Sequence, residues 1–99
     1  MKVIVTPEAE SDIAMAQQWY ESEHKGLGKQ FQAETGHSIE RIRDNPCAYV
    51  ETYGHIRRVL LNRFPLALYY VLFEESVIVL ACIHARRSPD FIKSRLNIN

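Results

Sequence analysis

The chain has 99 residues, enough for one domain with a modest core and too few for a second. With 46% hydrophobic residues, 24% charged residues and a formal net charge of zero, its composition is that of an ordinary globular chain. That composition gives no reason to invoke disorder, and no apolar run is long enough to span a bilayer.

The start, "MKVIVTPEAESDI", reads as a short strand over Lys2 to Val5 that runs directly into a helix. Thr6 is a suitable N-cap, Pro7 fits the first helical position, and Glu8, Glu10 and Asp12 complement the positive end of the helix dipole. Ala9, Ile13, Ala16 and Tyr20 follow at helical spacing as one buried face, with Trp19 widening it. As a pair, Trp19 and Tyr20 could also be read as a base-stacking platform, but an amphipathic helix favours core packing.

"HKGLGKQF" then breaks the pattern with two glycines in three residues. A second helix places Leu27, Phe31, Ile39 and Ile42 on one face, with Thr35 and Ser38 between them, and ends at Asn45 before Pro46. Gly36, in its middle, marks either close packing or a weak spot. The two helices form an antiparallel hairpin.

From residue 55 the texture becomes that of strands. "HIRRVLLNRF", "LALYYVLF" and "VIVLACIH" are three runs with short connections, which predicts antiparallel neighbours. The last two are almost continuously apolar, so both faces are expected to be covered, one by the helices and the other in part by something else, such as a partner protein. "SPDFIKSRL" repeats the first helix's start, with Ser88 as cap and Pro89 next. The predicted plan is β-α-α-β-β-β-α, a single α+β domain over residues 1–99 with the helical hairpin packed on a small antiparallel sheet.

The zero net charge hides an asymmetry. Residues 1–54 hold five basic and nine acidic side chains, a balance of −4, whereas residues 55–99 hold seven basic and three acidic ones, a balance of +4. Six of those seven are arginines, the cation suited to bidentate pairing with phosphate or carboxylate. Arg57 and Arg58 point to opposite faces of a regular strand, and one of them can pair with a helix carboxylate such as Glu40 or Asp44. Arg63 precedes Phe64-Pro65, where it can hold the turn through backbone carbonyls. His84 ends the last strand beside Arg86 and Arg87; it fits either an acid–base role or a hydrogen-bonding support for the loop. Of Tyr69 and Tyr70, one can present its hydroxyl to a partner.

Cys47 and Cys82 fit neither a redox nor a zinc spacing; Cys82 reads as a core residue and Cys47 as a loop residue. His24, His37, His55 and His84 show no ligand-like spacing, so neither metal nor cofactor is expected. The amino terminus lacks the pattern of a secretory signal, which makes the cytoplasm the expected compartment.

Taken in order, "DIAMAQQWYE", "GLGKQF", "IRDNPCAY", "IRRVLLNRFPLALYYV" and "VIVLACIHARRSPD" resemble the RelE/ParE superfamily of type II toxin–antitoxin toxins over nearly the whole chain. The resemblance implies a toxin neutralised by a cognate antitoxin whose carboxyl-terminal segment packs on the hairpin and sheet, in a groove assigned to Ile13, Trp19, Tyr20, Phe31 and Tyr69. It leaves two activities open. ParE-like members poison DNA gyrase by binding; RelE-like members cut messenger RNA on the ribosome. Where RelE-like nucleases carry a tyrosine on the last helix this chain has Phe91, where they carry an arginine opening the third strand it has Leu66 or Ala67, and their paired lysines of the second strand are missing. RNA cleavage needs groups that exchange protons, and arginine makes a poor general base. The resemblance therefore points to the ParE branch, with Arg57, Arg58, Arg63, His84, Arg86, Arg87 and Phe91 as target-contact residues. A non-toxic module that only binds the antitoxin is the third reading.

Overall fold

The computed structural model describes residues 1–98. In chain order it holds β1 (Lys2–Val5), α1 (Pro7–Glu23), α2 (Leu27–Asp44), β2 (Glu51–Tyr53), β3 (Ile56–Leu60), β4 (Leu66–Phe73), β5 (Ser76–His84) and α3 (Pro89–Arg95). The five strands make one sheet in the order β1-β5-β4-β3-β2. Two features depart from the expected antiparallel sheet. β1 lies parallel to β5, with Lys2 opposite Ser76, so the sheet is mixed. A further strand, β2, precedes residue 55 and pairs with β3.

The helix signals act as the sequence predicts. Thr6 Oγ1 accepts the amide of Ala9 at 3.1 Å, while the Thr6 amide donates to the carbonyl of Val79, fixing the first turn of α1 to β5. The turn into α2 is tight because Gly26 adopts φ +89° and the Glu21 carboxylate accepts the amides of Gly26 and Gly28 at 3.0–3.1 Å. A Cβ on Gly28 would sit 2.9 Å from the carbonyl oxygen of Gln17, so glycine sets how closely the helices approach. Gly36 has nothing within 4 Å of a Cβ position, which makes it the weak spot rather than a close contact.

Phe31, Thr35, Ser38 and Ile42 form the buried stripe of α2. They meet Leu66, Leu68, Tyr70, Val77 and Val79 of the sheet in the main core, where Tyr20, Phe31 and Phe64 pack ring to ring with centroids 4.9–5.3 Å apart. The opposite face holds a second cluster of Ala67, Tyr69, Ala81 and Ile83. Within the chain it is covered by α3, through Phe91, Ile92 and Leu96. A bulge joins the two clusters: Tyr69 pairs with Ala81 and Tyr70 with Val79, leaving Leu80 as the extra residue. The bulge reverses the alternation of β5, so Val79 and Cys82 both reach the main core.

Trp19 does not widen the buried face of α1. It is 58% exposed and rests edge-on against Tyr20, which takes the inward position.

Candidate functional site

β5 ends at His84, and the loop that follows is held by its own backbone. The amide of Ala85 donates to the Pro65 carbonyl, that of Arg87 to the His84 carbonyl, and that of Arg86 to His84 Nδ1 at 3.1 Å. Ser88 Oγ accepts the Phe91 amide at 3.2 Å and starts α3. The Arg87 guanidinium lies 3.6 Å from the centroid of the Phe91 ring, a cation–π stack. Arg86 and Arg87 are exposed and, among the described residues, neither joins an ion pair.

Beneath this loop is a cleft of about 230 Å³ between α1 and the start of α3. Ala16, Leu66, Cys82 and Ile83 line it, Met15 and Phe91 flank it, and Asp12, His84 and Arg87 supply its polar groups. Asp12 is already engaged, accepting the Cys82 amide at 3.0 Å and Arg95 Nη2 at 2.6 Å. Burial pushes its carboxyl above the ordinary range, against the opposing pull of the Cys82 amide and the Arg95 guanidinium. Burial likewise pushes the Cys82 thiol up to about 12, with the charge of Asp12 adding to the effect, so at neutral pH it is a packing group and not a nucleophile.

The target-contact residues expected from sequence separate into two sets. His84, Arg86, Arg87 and Phe91 share the loop. Arg57 and Arg58 lie along the sheet opposite Tyr70 and Tyr69, four and three residues up β4 from Leu66, the partner of His84. Arg57 pairs with no helix carboxylate: its Nη1 donates to the carbonyls of Tyr49 at 2.6 Å and Cys47 at 3.3 Å, fastening the loop before β2. Arg58 is half-buried on the face of Tyr69. Arg63 adopts φ +70°, and its guanidinium reaches Gln30 Oε1 at 2.6 Å instead of turn carbonyls, tying the β3–β4 turn to α2.

The expected partner groove is corrected more heavily. Phe31 and Tyr69 are fully buried and cannot line an open surface. Ile13 and Tyr20 are half-buried against the main core, and Trp19 alone of the five stands clear. Met15 is 68% exposed one turn before Trp19; sequence reasoning passed over it, although the spacing of four residues places both on one side of α1. Among the described residues no three His, Cys, Asp or Glu side chains gather as a metal site, and no helix is long and apolar enough to cross a membrane.

No protein-family model and no curated protein matches the chain. Among solved structures, a chain of "Chromosomal ParDE TA system from P. aeruginosa" superposes with a TM-score of 0.63, covering 85% of this chain and 95% of its own at 12% identity. The fold is of the RelE/ParE type.

On this RelE/ParE-type fold the loop offers cations but little proton chemistry. His84 Nδ1 uses its lone pair on the Arg86 amide, which leaves the proton of the neutral ring on Nε2. Neither nitrogen then presents a free lone pair. Phe91 has no proton to exchange, and a guanidinium makes a poor general base. The arrangement can bind an anion or a carboxylate-bearing surface; it cannot readily activate a hydroxyl.

Proposed function

We propose that the protein is the toxin of a type II toxin–antitoxin pair, a ParE-like inhibitor that acts in the cytoplasm by binding DNA gyrase and is held inactive by a cognate antitoxin. The observation that carries the reading is the loop at the end of β5. Two exposed arginines stand without ion-pair partners among the described residues, one stacked on Phe91, beside a histidine whose ring is tied into the backbone. Such a surface grips a polyanion–protein complex and does not cut. The RelE/ParE-type fold supports the same reading, since a solved structure that shares it is described as a ParDE system. The runner-up, ribosome-dependent mRNA cleavage, would need a proton carrier where this chain places Phe91.

A supercoiling assay with purified gyrase is the test. The protein is expected to block supercoiling and trap cleaved DNA, and Arg86→Ala/Arg87→Ala is expected to lose both effects with an unchanged circular dichroism spectrum. Full supercoiling at large excess of the protein refutes the gyrase reading. Codon-phased cuts in transcripts from expressing cells would put the nuclease in its place.

A further inference from the structure

β1 is an outer strand of the sheet, and its backbone groups alternate in direction. The Thr6 amide donates to the Val79 carbonyl, so Thr6, Ile4 and Lys2 turn their amides and carbonyls toward β5. Those of Val3 and Val5 point out of the edge, where no strand among the described residues pairs with them. Pro7, which has no amide, closes one end of that open run.

Val3 and Val5 pack into the main core, which turns Ile4 to the other face. There Ile4 heads an apolar row across the sheet, with Ile4 opposite Ile78 and Ile78 opposite Val71. α3 packs on the Tyr69–Ala81 half of that face, and Ile4 stays 38% exposed at the edge. Lys2 shares the face of Ile4 at one end of the edge. Glu8 stands at the other end, where it lines with Thr6 and Leu96 a shallow pocket of about 270 Å³. Arg95, also at that pocket, is held by Asp12. Lys2 and Glu8 are exposed and, among the described residues, neither joins an ion pair.

An open edge is a template for another strand, and β1 is complementary to itself. Antiparallel pairing about a two-fold axis requires that residues opposite each other share a face and that outward backbone groups meet outward ones. Ile4 on the axis meets both conditions. Val3 of one copy then exchanges both backbone bonds with Val5 of the other, and the two Ile4 side chains meet at the closer, non-hydrogen-bonded spacing. Lys2 falls opposite Thr6 of the other copy, beside its Glu8.

We propose that β1 is a self-association edge: two copies of this chain join β1 to β1 about Ile4 into one continuous sheet, with Lys2 of each paired to Glu8 of the other. The inference stands apart from the toxin reading. So short a contact makes a dimer that forms on concentration and dissociates on dilution.

Sedimentation velocity on the full chain, over a concentration series up to about 1 mM, is the test. Wild type is expected to pass from monomer to dimer, and amide exchange at Val3 and Val5 to slow as it does, while that at Ile4 is unchanged. Lys2→Glu and Glu8→Lys are each expected to weaken the dimer roughly tenfold or more, because like charges then face each other at both ends. Mixed in equal amounts, the two variants are expected to pair about as well as wild type, since each substituted position then faces an opposite charge. No contact within one copy produces that rescue. Both positions are exposed, so these variants should stay close to the wild-type melting curve. Ile4→Lys is expected to abolish the dimer, and Phe73→Ser, exposed on the same face two strands away, to leave it intact. A chain that stays monomeric throughout overturns the proposal, as does protection of Val3 and Val5 that appears only when a different protein supplies the strand. A dimer indifferent to Ile4→Lys, or dissolved by Phe73→Ser, overturns it too, and so does a mixture of the charge variants that fails to pair.

Discussion

Replacing Arg95 with alanine tests how α3 is held on the sheet. Arg95 Nη2 meets Asp12 at 2.6 Å with the two side chains 26% and 18% exposed, so the pair is shielded enough for its charge to count. A hydrogen bond to a charged group contributes about 1.5–3 kcal/mol, and the loss of packing by the arginine stem adds to it. Arg95→Ala should therefore cost about 2 kcal/mol, which for a domain of this size lowers Tm by on the order of 10 °C. The cost should depend on pH. Burial holds the native pKa of Asp12 above its ordinary 3.8, so its protonated form contributes stability that is fully present below that value and lost as pH rises through the native pKa. Without the guanidinium the native pKa climbs further. The deficit of the variant should then be smallest in acid and grow toward neutrality. Urea melts of wild type, Arg95→Ala, Asp12→Asn and the double variant between about pH 4 and pH 7 measure this, with an expected coupling of about 1–2 kcal/mol at the neutral end. Additivity within a few tenths of a kcal/mol, or a deficit flat across that range, would refute the reasoning.

Three further outcomes are expected. Gly28→Ala should destabilise by about 1–3 kcal/mol, because the new methyl meets the Gln17 backbone carbonyl, whereas Gly36→Ala, into open space, should stabilise by about 1 kcal/mol; thermal melts should move in opposite directions. Tyr70→Phe removes the hydroxyl that donates to the Pro46 carbonyl at 2.6 Å and should cost about 1 kcal/mol, read by denaturant titration. For Glu21, the amides of Gly26 and Gly28 hold the carboxyl below its ordinary 4.5. Its contribution is present above that value and lost as pH falls through the lower native one, so Glu21→Gln should flatten that part of the acid-unfolding curve.

What the sequence revealed was local. Thr6-Pro7 and Ser88-Pro89 mark two helix starts because a cap is a contact between near neighbours, and the stripe from Phe31 to Ile42 is a periodicity. The parallel partner of β1 was hidden because Lys2 and Ser76 are brought together only by the fold. β2 escaped because three residues next to a register shift carry no alternation worth reading. The site divided along the same line. "HARRSPDF" placed His84, Arg86, Arg87 and Phe91 in one loop, and the structure keeps them there. The partners of Arg57 and Arg63 lie on other elements, and nothing in the spacing of Asp12 announces Arg95, 83 residues away. Trp19 and Tyr20 differ by one helical step, and the packing of α1 against Phe31 and Phe64 decides which turns inward.

The pairing of β1 with β5 also governs the order in which the molecule can assemble. β1 has no ladder to join until residues 76–79 exist, and closing so long a loop is entropically slow. Until β5 arrives, β4 is an apolar edge with one side unpaired, the kind of intermediate that aggregates or is captured by a chaperone. The α1–α2 hairpin can form early, but the seat that Thr6 takes on β5 cannot. Tertiary structure should therefore appear late and all at once, with the basic loop and α3 completed among the last events of folding.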